Sequence, residues 1–410
     1  MYIIEAMVEN FITILTSGAF LATLTKHLGV SDSMTAILSS ITALSGLFQI
    51  IAVFVAHKTP VKRWVVPLQL LTHLLLCGLY LIPVIGFEKH ASLLFFIFII
   101  GANAIKSIKS SVKINWFYSM VKLENQGNFS AILTAVSVVG AIFFSLGASF
   151  VFDSFIDAGN TRGAFTVITV TILVLIVLDI IPLILSKEKA ESRKRAPSPF
   201  SSLKGILSNP NFRILLILGV TQSLASGIAP PFLSTYQINE LGFSLSFIAI
   251  IDTVVNIVWV CALLIFGKVS KSLPYATIMH ISAFIHAISY AILIFVMPGN
   301  GMITFTLYRI FMIIQGSASA VSSRSLLFEL VEPDNRASAL AIYTMLTGVF
   351  SFLITLSVTP IFNSLQLSPI VLFGIELYAQ QALAIASFAI MLVVNILWTV
   401  FSHRLCIKHQ

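Results

Sequence analysis

The sequence predicts an all-α polytopic membrane protein with twelve transmembrane helices. Of its 410 residues, 58% are hydrophobic and only 10% are charged, and the mean hydropathy is +1.00. A water-soluble domain has about a quarter of its residues charged, because its surface faces water. Twelve separate stretches are apolar over about 20 residues, which is the length that spans a bilayer as a helix. The chain is therefore expected to have lipid, and not water, as its main solvent.

The predicted spans follow one another with mostly short gaps, which hold Pro, Gly, Asn and charged residues as turns do. The first span lacks the basic segment that begins a signal peptide, so it is expected to be retained. To within a few residues, the spans are 3–26, 34–56, 64–86, 91–118, 129–152, 163–186, 212–236, 244–267, 274–297, 302–330, 338–362 and 378–402.

One long polar segment, residues 187–211, divides the chain near its middle. Its first half is predicted to be a flexible basic linker, and residues 200–207 a short interfacial helix. The predicted organisation is a six-helix bundle at 1–186, a cytoplasmic linker at 187–211 and a second six-helix bundle at 212–410.

The placement of Lys and Arg predicts the orientation. With both termini in the cytoplasm, 16 of the 24 Lys and Arg residues lie on the inner side, 3 on the outer side and 5 within spans. Cytoplasmic loops of membrane proteins carry such an excess of basic residues. The asymmetry accounts for the net charge of +8 without a nucleic-acid partner. The short loops favour a bacterial cytoplasmic (plasma) membrane, and we expect a monomer surrounded by membrane lipids.

The two halves of the chain resemble each other. Residues 28–33, LGVSDS, are similar to residues 241–246, LGFSLS. Five identical residues also recur at a constant offset of 208 between 124–144 and 332–352. Repetition in the same order predicts a duplicated unit of six spans.

Six spans, a basic linker and six further spans resemble the layout of the major facilitator superfamily. Residues 209–213, NPNFR, resemble the family's lead into its seventh helix, and the LGVS and LGFS motifs resemble the starts of its second and eighth helices. The signature loop at 55–63 keeps basic residues but not the family's aspartate and glycines. Arg309 with the Gln-Gly pair at 315–316 resembles a pattern of proton-driven members in their fourth helix, but here it lies in the tenth span. The resemblance implies two pseudo-symmetric six-helix bundles around a central cavity, lined by the first, fourth, seventh and tenth spans, and transport by alternating access.

The fourth span carries a row of lysines. Ionisable groups inside a span are costly and mark pathways or partners. Lys106, Lys109 and Lys113 are flanked by Asn103 and Ser110, and at 100° per residue the lysines lie within about 60° of one another and climb roughly 10 Å. Because the resemblance places this span at the central cavity, they are candidates for a cavity wall that attracts an anionic substrate. The alternative is pairing with acids of the first span, with snorkelling at the inner end.

Glu5 and Glu9 are the acids of the first span, one turn apart and level with Lys109 and Lys113. A structural salt bridge between the first and fourth spans is the favoured interpretation. The alternative is a carboxylate whose protonation is coupled to transport. Asp252 in the eighth span is a further candidate for a proton or cation site, with a buried hydrogen-bonded acid as its alternative, so proton or sodium coupling stays open.

In the second half, Arg309 lies near the middle of the tenth span and is a candidate for the same cavity. Gln222 makes the seventh span polar, and the prolines at 230–231 predict a kink there, as in the interrupted helices that line transporter sites. Asp179 in the sixth span is predicted to be peripheral and structural, and His73 to stand alone in the third span.

Motifs of soluble enzymes and nucleotide-binding loops do not occur in the sequence, and its three cysteines are far apart. We therefore predict no catalytic residue, no metal and no cofactor. Transport must then draw on an ion gradient or on the substrate's own gradient. The leading prediction is a secondary transporter for an anionic small solute or lipid headgroup. The alternatives are a proton-coupled exporter of hydrophobic compounds, a non-transporting membrane sensor of the same fold, and a membrane-embedded enzyme.

Overall fold

The computed structural model is almost entirely helical. It describes residues 2–45, 47, 61–87, 90–121, 126–187, 203–332, 335–372 and 374–405. Within these ranges, ten helices are long and apolar enough to cross a membrane. Of the predicted second span, 34–56, residue 46 and residues 48–56 lie outside the described residues, and the signature loop lies outside them up to residue 60. Every predicted span has a helix in its described part, so the prediction of an all-α polytopic membrane protein is confirmed.

The first compact unit comprises Met1–Ala196 with two short pieces, Gln237–Asn239 and Phe243–Asp252. Its helices are α1 (Tyr2–Leu15), α2 (Gly18–His27), α3 (Asp32–Ser40), α4 (Val61–Ile85), α5 (Ala91–Ser119), α6 (Gln126–Asp157) and α7 (Thr161–Leu185). Within this unit, α4 packs against α5 and α7, and α1 packs against α6 and α7.

The second compact unit comprises Pro197–Tyr236, Glu240–Gly242 and Thr253–Gln410. The remaining helices of the chain are α8 (Leu203–Ser208), α9 (Pro210–Ile228), α10 (Leu233–Asn239), α11 (Leu245–Val269), α12 (Tyr275–Ile294), α13 (Gly301–Leu330), α14 (Arg336–Leu367) and α15 (Ala379–Leu405). In the second unit α12 packs against α13 and α15, and α9 packs against α14 and α15.

The first span is interrupted, whereas the sequence predicts one continuous helix over 3–26. α1 ends at Leu15 and α2 begins at Gly18, whose φ of 56° lies in the left-handed region that glycine adopts without steric cost. Ser17 donates its hydroxyl to the Thr13 carbonyl at 2.7 Å, in addition to the bond that this carbonyl accepts from the Thr16 amide at 3.2 Å where the helix stops.

The seventh span breaks where the sequence predicts a kink. α9 ends at Ile228, a 3₁₀ turn covers Pro230–Phe232, and α10 continues from Leu233. Proline lacks the amide hydrogen that an α-helix needs and its ring clashes with the preceding turn, so two in succession end the helix.

The two halves of the chain repeat the same local structure at the LGVS and LGFS motifs. Gly29 and Gly242 have φ angles of 66° and 65°. Two residues after each glycine, a serine hydroxyl accepts a hydrogen bond from the backbone three residues further on, at 3.3 Å for Ser31 and 3.2 Å for Ser244. Both helices therefore begin with the same serine cap.

A second repeated contact joins helices inside each unit. Tyr80 on α4 donates its hydroxyl to the carbonyl of Leu15, and Tyr290 on α12 donates to the carbonyl of Ala225 at 3.2 Å. In both cases the two residues are 65 positions apart. The recurrence agrees with the internal duplication that the sequence predicts.

Two small elements complete the described chain. The predicted interfacial helix at 200–207 corresponds to α8, which begins at Leu203, and residues 188–202 of the predicted linker lie outside the described residues. The sequence does not predict the short antiparallel hairpin of β1 (Val371–Leu372) and β2 (Ile375–Glu376) between α14 and α15.

Candidate functional site

A cluster of charged and polar side chains is buried between four helices of the first unit and connects them by hydrogen bonds and ion pairs. Three of these helices contribute two residues four positions apart, a spacing that places both side chains on one face. All members are buried except Glu9, whose side chain is 17% exposed. The buried cluster consists of Glu5 and Glu9 from α1, Gln69 and His73 from α4, Lys109 and Lys113 from α5, and Asp179 from α7.

The two lysines of the buried cluster are ion-paired. The Lys113 Nζ lies 2.7 Å from Glu5 Oε1 and also bonds Glu9 Oε2. The Lys109 Nζ lies 3.1 Å from Glu9 Oε1 and donates a second hydrogen bond to Gln69 Oε1. Each ammonium therefore has partners on other helices, and Glu9 bridges the two. The predicted salt bridge between the first and fourth spans is confirmed.

Gln69 connects these ion pairs to a histidine and a third acid. An ammonium can only donate hydrogen bonds, so the contact with Lys109 fixes the Gln69 amide with its oxygen toward Lys109 and its nitrogen away from it. The Gln69 Nε2 donates to Asp179 Oδ2 at 2.8 Å and reaches Glu5 Oε1 at 3.4 Å. The His73 Nε2 lies 3.0 Å from the same Asp179 oxygen.

This part of the buried cluster corrects two sequence predictions. His73 was predicted to stand alone in the third span, but it contacts Asp179 and Gln69. The sequence predicts that Asp179 is peripheral and structural, but it is fully buried in the cluster, while its structural role stays a prediction. The isolated His73 and the peripheral position of Asp179 were wrong because the sequence does not show that α4 and α7 pack against each other. The spacing of Gln69 and His73, four positions apart in an apolar span, was the available signal.

Lys106 lies one turn before Lys109 on α5 and differs from it in its surroundings. It is half-buried, and its Nζ donates to the hydroxyl of Thr13 at 3.0 Å. Among the described residues, no carboxylate lies within salt-bridge distance of it. Asn103, on the same face, is also half-buried and donates its amide to the carbonyl of Ile99 at 2.9 Å.

The other predicted residues lie on α9, α11 and α13. Gln222 on α9 is half-buried, and its Nε2 lies 3.4 Å from Nδ1 of the buried His286 on α12, a residue given no role from the sequence. Arg309 on α13 and Asp252 on α11 are half-buried and each makes polar or electrostatic contacts. A cavity shared by Lys106 and Arg309 stays a prediction.

The charges of the buried cluster contribute to the attraction between the four helices that carry its members. An unpaired charge in the membrane interior is costly, so its members must stay paired across α1, α4, α5 and α7. A change in the charge of one member, or of a group beside it, alters how strongly these helices attract one another. The described residues contain no group of three or more His, Cys, Asp or Glu side chains that could hold a metal ion.

Comparison with known proteins supplies a family and a fold. The sequence profile of the Major Facilitator Superfamily matches residues 4–355. No curated protein matches the chain in sequence.

Three solved structures illustrate the likeness of fold. The nucleoside transporter NupG has a TM-score of 0.68 at 15% identity, with 97% of this chain and 98% of that chain covered. The D-xylose-proton symporter has a TM-score of 0.69 at 14% identity, covering 99% and 96%. A bacterial homologue of the human lysosomal transporter Spinster, inward-facing and unoccupied, has a TM-score of 0.67 at 13% identity, covering 100% and 98%. Identities this low show a similar fold and do not identify the substrate.

Proposed function

The chain belongs to the Major Facilitator Superfamily, and we propose that it is a secondary active transporter whose substrate is a small solute or lipid headgroup with a negative charge. The integral membrane fold and the transporters that share it support transport in general. Gradient-driven alternating access fits a sequence without a nucleotide-binding loop. We further propose a bacterial cytoplasmic membrane, cytoplasmic termini and a monomer, from the short loops and the 16 basic residues on one side.

The main support for an anionic substrate is the difference between Lys106 and its neighbours Lys109 and Lys113. Lys109 and Lys113 are paired with carboxylates that neutralise most of their positive charge, so they attract an anionic ligand only weakly. Lys106 is half-buried, and its ammonium uses one of its three N–H donors in the hydrogen bond to Thr13. We propose that another of these donors binds an anionic oxygen of the substrate. A site with one such cation suits a substrate that carries one principal negative group.

Asn103 stands three residues before Lys106 and therefore on the same face of α5. We propose that it adds a neutral hydrogen bond to the substrate. Arg309 and Gln222 are the proposed contacts from the second unit, and Lys109 and Lys113 support the site through their pairing with the acids of α1.

The proton-coupled exporter of hydrophobic compounds is the second candidate. The ion pairs of Lys109 and Lys113 favour it, because they remove most of the positive charge that otherwise argues against a hydrophobic or cationic cargo. Glu5, Glu9 and Asp252 are the proposed coupling acids in that case. The two candidates differ in whether the charge of Lys106 matters for binding.

Replacing Lys106 with glutamine tests the proposal. A thermal-shift screen of the purified protein against anionic metabolites and lipids first identifies a ligand, since binding to the folded state raises the melting temperature. Lys106→Gln removes the charge and keeps most of the side chain's length. We expect it to weaken binding by about 1–3 kcal/mol, the usual worth of a hydrogen bond to a charged group, as measured by calorimetric titration.

Lys106→Arg is the matched control, because it keeps the charge and should retain most of the affinity. Lys271→Gln removes a charge from an exposed position and should leave binding unchanged. Arg309→Gln is expected to behave like Lys106→Gln. Equal affinity of the wild type, Lys106→Gln and Arg309→Gln would contradict an anionic substrate and favour the exporter.

A further inference from the structure

A cavity of about 380 Å³ lies in the second unit, where α14 ends and α15 begins. The orientation predicted from the sequence places these helix ends on the outer side of the membrane. None of the proposed substrate contacts lines the cavity, and no Lys, Arg or His is among the described residues that do. The polar side chains that line it belong to Glu240, Gln366, Glu376, Tyr378 and Gln380.

Two of these side chains are carboxylates from different parts of the chain. Glu240 is half-buried, and its Oε1 accepts a hydrogen bond from Gln380 Nε2 at 3.1 Å. Glu376 is exposed and belongs to β2, which pairs with β1. The Leu377 amide donates to the Ile370 carbonyl at 2.9 Å and closes the base of this hairpin. Because both carboxylates line one cavity without a basic side chain among its described residues, the cavity attracts cations.

Gln380 adds a buried oxygen to the two carboxylates. The residue is 1% exposed, and its Oε1 has no hydrogen-bond partner among the described residues. A carboxylate only accepts hydrogen bonds, so the contact with Glu240 fixes the Gln380 amide with its nitrogen toward Glu240 and its oxygen away from it. A buried carbonyl oxygen without a donor loses the hydrogen bond that it makes in water. A ligand with N–H groups can supply that donor.

The remaining wall of the cavity is aromatic and apolar. The Tyr378 ring packs against the ring of Tyr236, with the two centroids 5.8 Å apart. The Tyr378 amide donates to Gln381 Oε1 at 2.9 Å, and Gln381 Nε2 donates to the Ile294 carbonyl at 2.8 Å, which holds the start of α15 against the end of α12. The apolar lining residues are Leu365, Pro369, Leu377 and Ala379.

We infer that this cavity binds an organic ammonium ion with an apolar body. The ammonium group donates to the carboxylates of Glu240 and Glu376 and to Gln380 Oε1. The body packs on the apolar wall, and the Tyr378 ring adds attraction for the cation. The volume lies within the range of about 300–1,000 Å³ that is usual for small-molecule sites.

A calcium ion is the other cation that carboxylate and amide oxygens suit. It takes about six to eight oxygen ligands, and an apolar wall gives it no favourable contact. The combination of two carboxylates, one amide oxygen and apolar surface therefore favours the organic cation. This site does not use the charge of Lys106, so it does not depend on the proposed anionic substrate.

Calorimetric titration of the purified protein with phenethylammonium chloride tests the inference, with protein-free micelles as the blank. Phenethyl alcohol has a similar shape without the charge, and we expect it to bind at least about tenfold more weakly. Tetramethylammonium has the charge but no N–H donor, and it should also bind more weakly than phenethylammonium. Phenylacetate, an anion of similar shape, should not bind.

Glu240→Gln removes a charge and keeps an oxygen that can accept from Gln380. We expect it to weaken phenethylammonium binding by about tenfold or more, and Glu376→Gln, at an exposed position, by about threefold. Glu332→Gln is the matched control, because Glu332 is an exposed acid of the second unit that does not line the cavity. Glu332→Gln and Lys106→Gln should both bind phenethylammonium like the wild type. The melting temperature without ligand checks that each variant is folded.

Several results would overturn the inference. One is the absence of phenethylammonium binding, and another is equal binding of phenethyl alcohol or tetramethylammonium. Folded Glu240→Gln and Glu376→Gln variants with the affinity of the wild type would place the ammonium elsewhere. Calcium chloride that binds the wild type more tightly than phenethylammonium does, and is weakened by the same two substitutions, would assign the cavity to a metal ion. Loss of phenethylammonium binding in Lys106→Gln would show that the cation site is not separate from the proposed substrate site.

Discussion

Replacing Lys113 with methionine is expected to lower the free energy of unfolding by about 3–5 kcal/mol, the loss found when one partner of a buried ion pair is removed. The Lys113 side chain is 7% exposed and contacts both Glu5 and Glu9. Methionine fills a similar volume and cannot neutralise either acid. Glu9 keeps Lys109, but Glu5 keeps only the 3.4 Å contact with the Gln69 amide. Most of the loss therefore arises from the isolated carboxylate of Glu5.

The double variant Lys113→Met with Glu5→Gln separates this electrostatic cost from lost packing. Glutamine removes the charge that has no partner, so the double variant should be more stable than Lys113→Met alone, although two sites are changed. Lys271→Met is the matched control at an exposed position and should lie within about 0.5 kcal/mol of the wild type. Denaturant unfolding in mixed micelles measures all four proteins. A loss below 1 kcal/mol in Lys113→Met, or no recovery in the double variant, would show that the ion pairs are not the stabilising feature.

The fold could be predicted because the membrane imposes one requirement on every span. In lipid each backbone group must be hydrogen-bonded within its own segment, so an apolar stretch of sufficient length is a helix. The break at the prolines of 230–231 follows from the same rule, since proline withholds a donor. The break at Gly18 could not be predicted in this way. Glycine is also common in continuous membrane helices, and only its φ of 56° distinguishes this one.

The site could be predicted in part, and the limit is physical. Glu5, Glu9 and the lysines of α5 are charged residues in two neighbouring apolar spans, and their depth in the membrane follows from counting residues. The part formed by Gln69, His73 and Asp179 depends on which helix lies beside which and on how each is rotated about its axis. Hydropathy describes each helix separately and gives neither its neighbours nor its rotation about its axis. The contacts of α4 with α5 and of α4 with α7 supply both.

Replacing Gly227 with alanine is the second change expected to have a large effect, at about 2–3 kcal/mol of lost stability, the upper part of the range for overpacked sites. Gly227 is buried near the end of α9, where α14 crosses closely. An added Cβ would fall well inside van der Waals contact with the backbone carbonyl oxygen of Ser351 and with Ile354 Cγ2. The Thr355 hydroxyl donates to the Gly227 carbonyl at 2.7 Å. The backbone of α14 cannot rotate away as a side chain can, so the two helices must separate and this bond must lengthen.

Gly316 provides the matched control for this change, because it is also a helical glycine of the second unit but has no neighbouring atom within 4 Å of an added Cβ. Gly316→Ala should be neutral or stabilising by up to about 1 kcal/mol, since alanine favours a helix more than glycine does. Because the two substitutions are expected to change the stability in opposite directions, they separate the effect of the helix contact from that of helix propensity. Gly227→Val should lose more than Gly227→Ala, because a larger side chain forces the helices further apart. If both alanine variants had the same stability, the close approach of α9 and α14 would not be a stabilising contact of this unit.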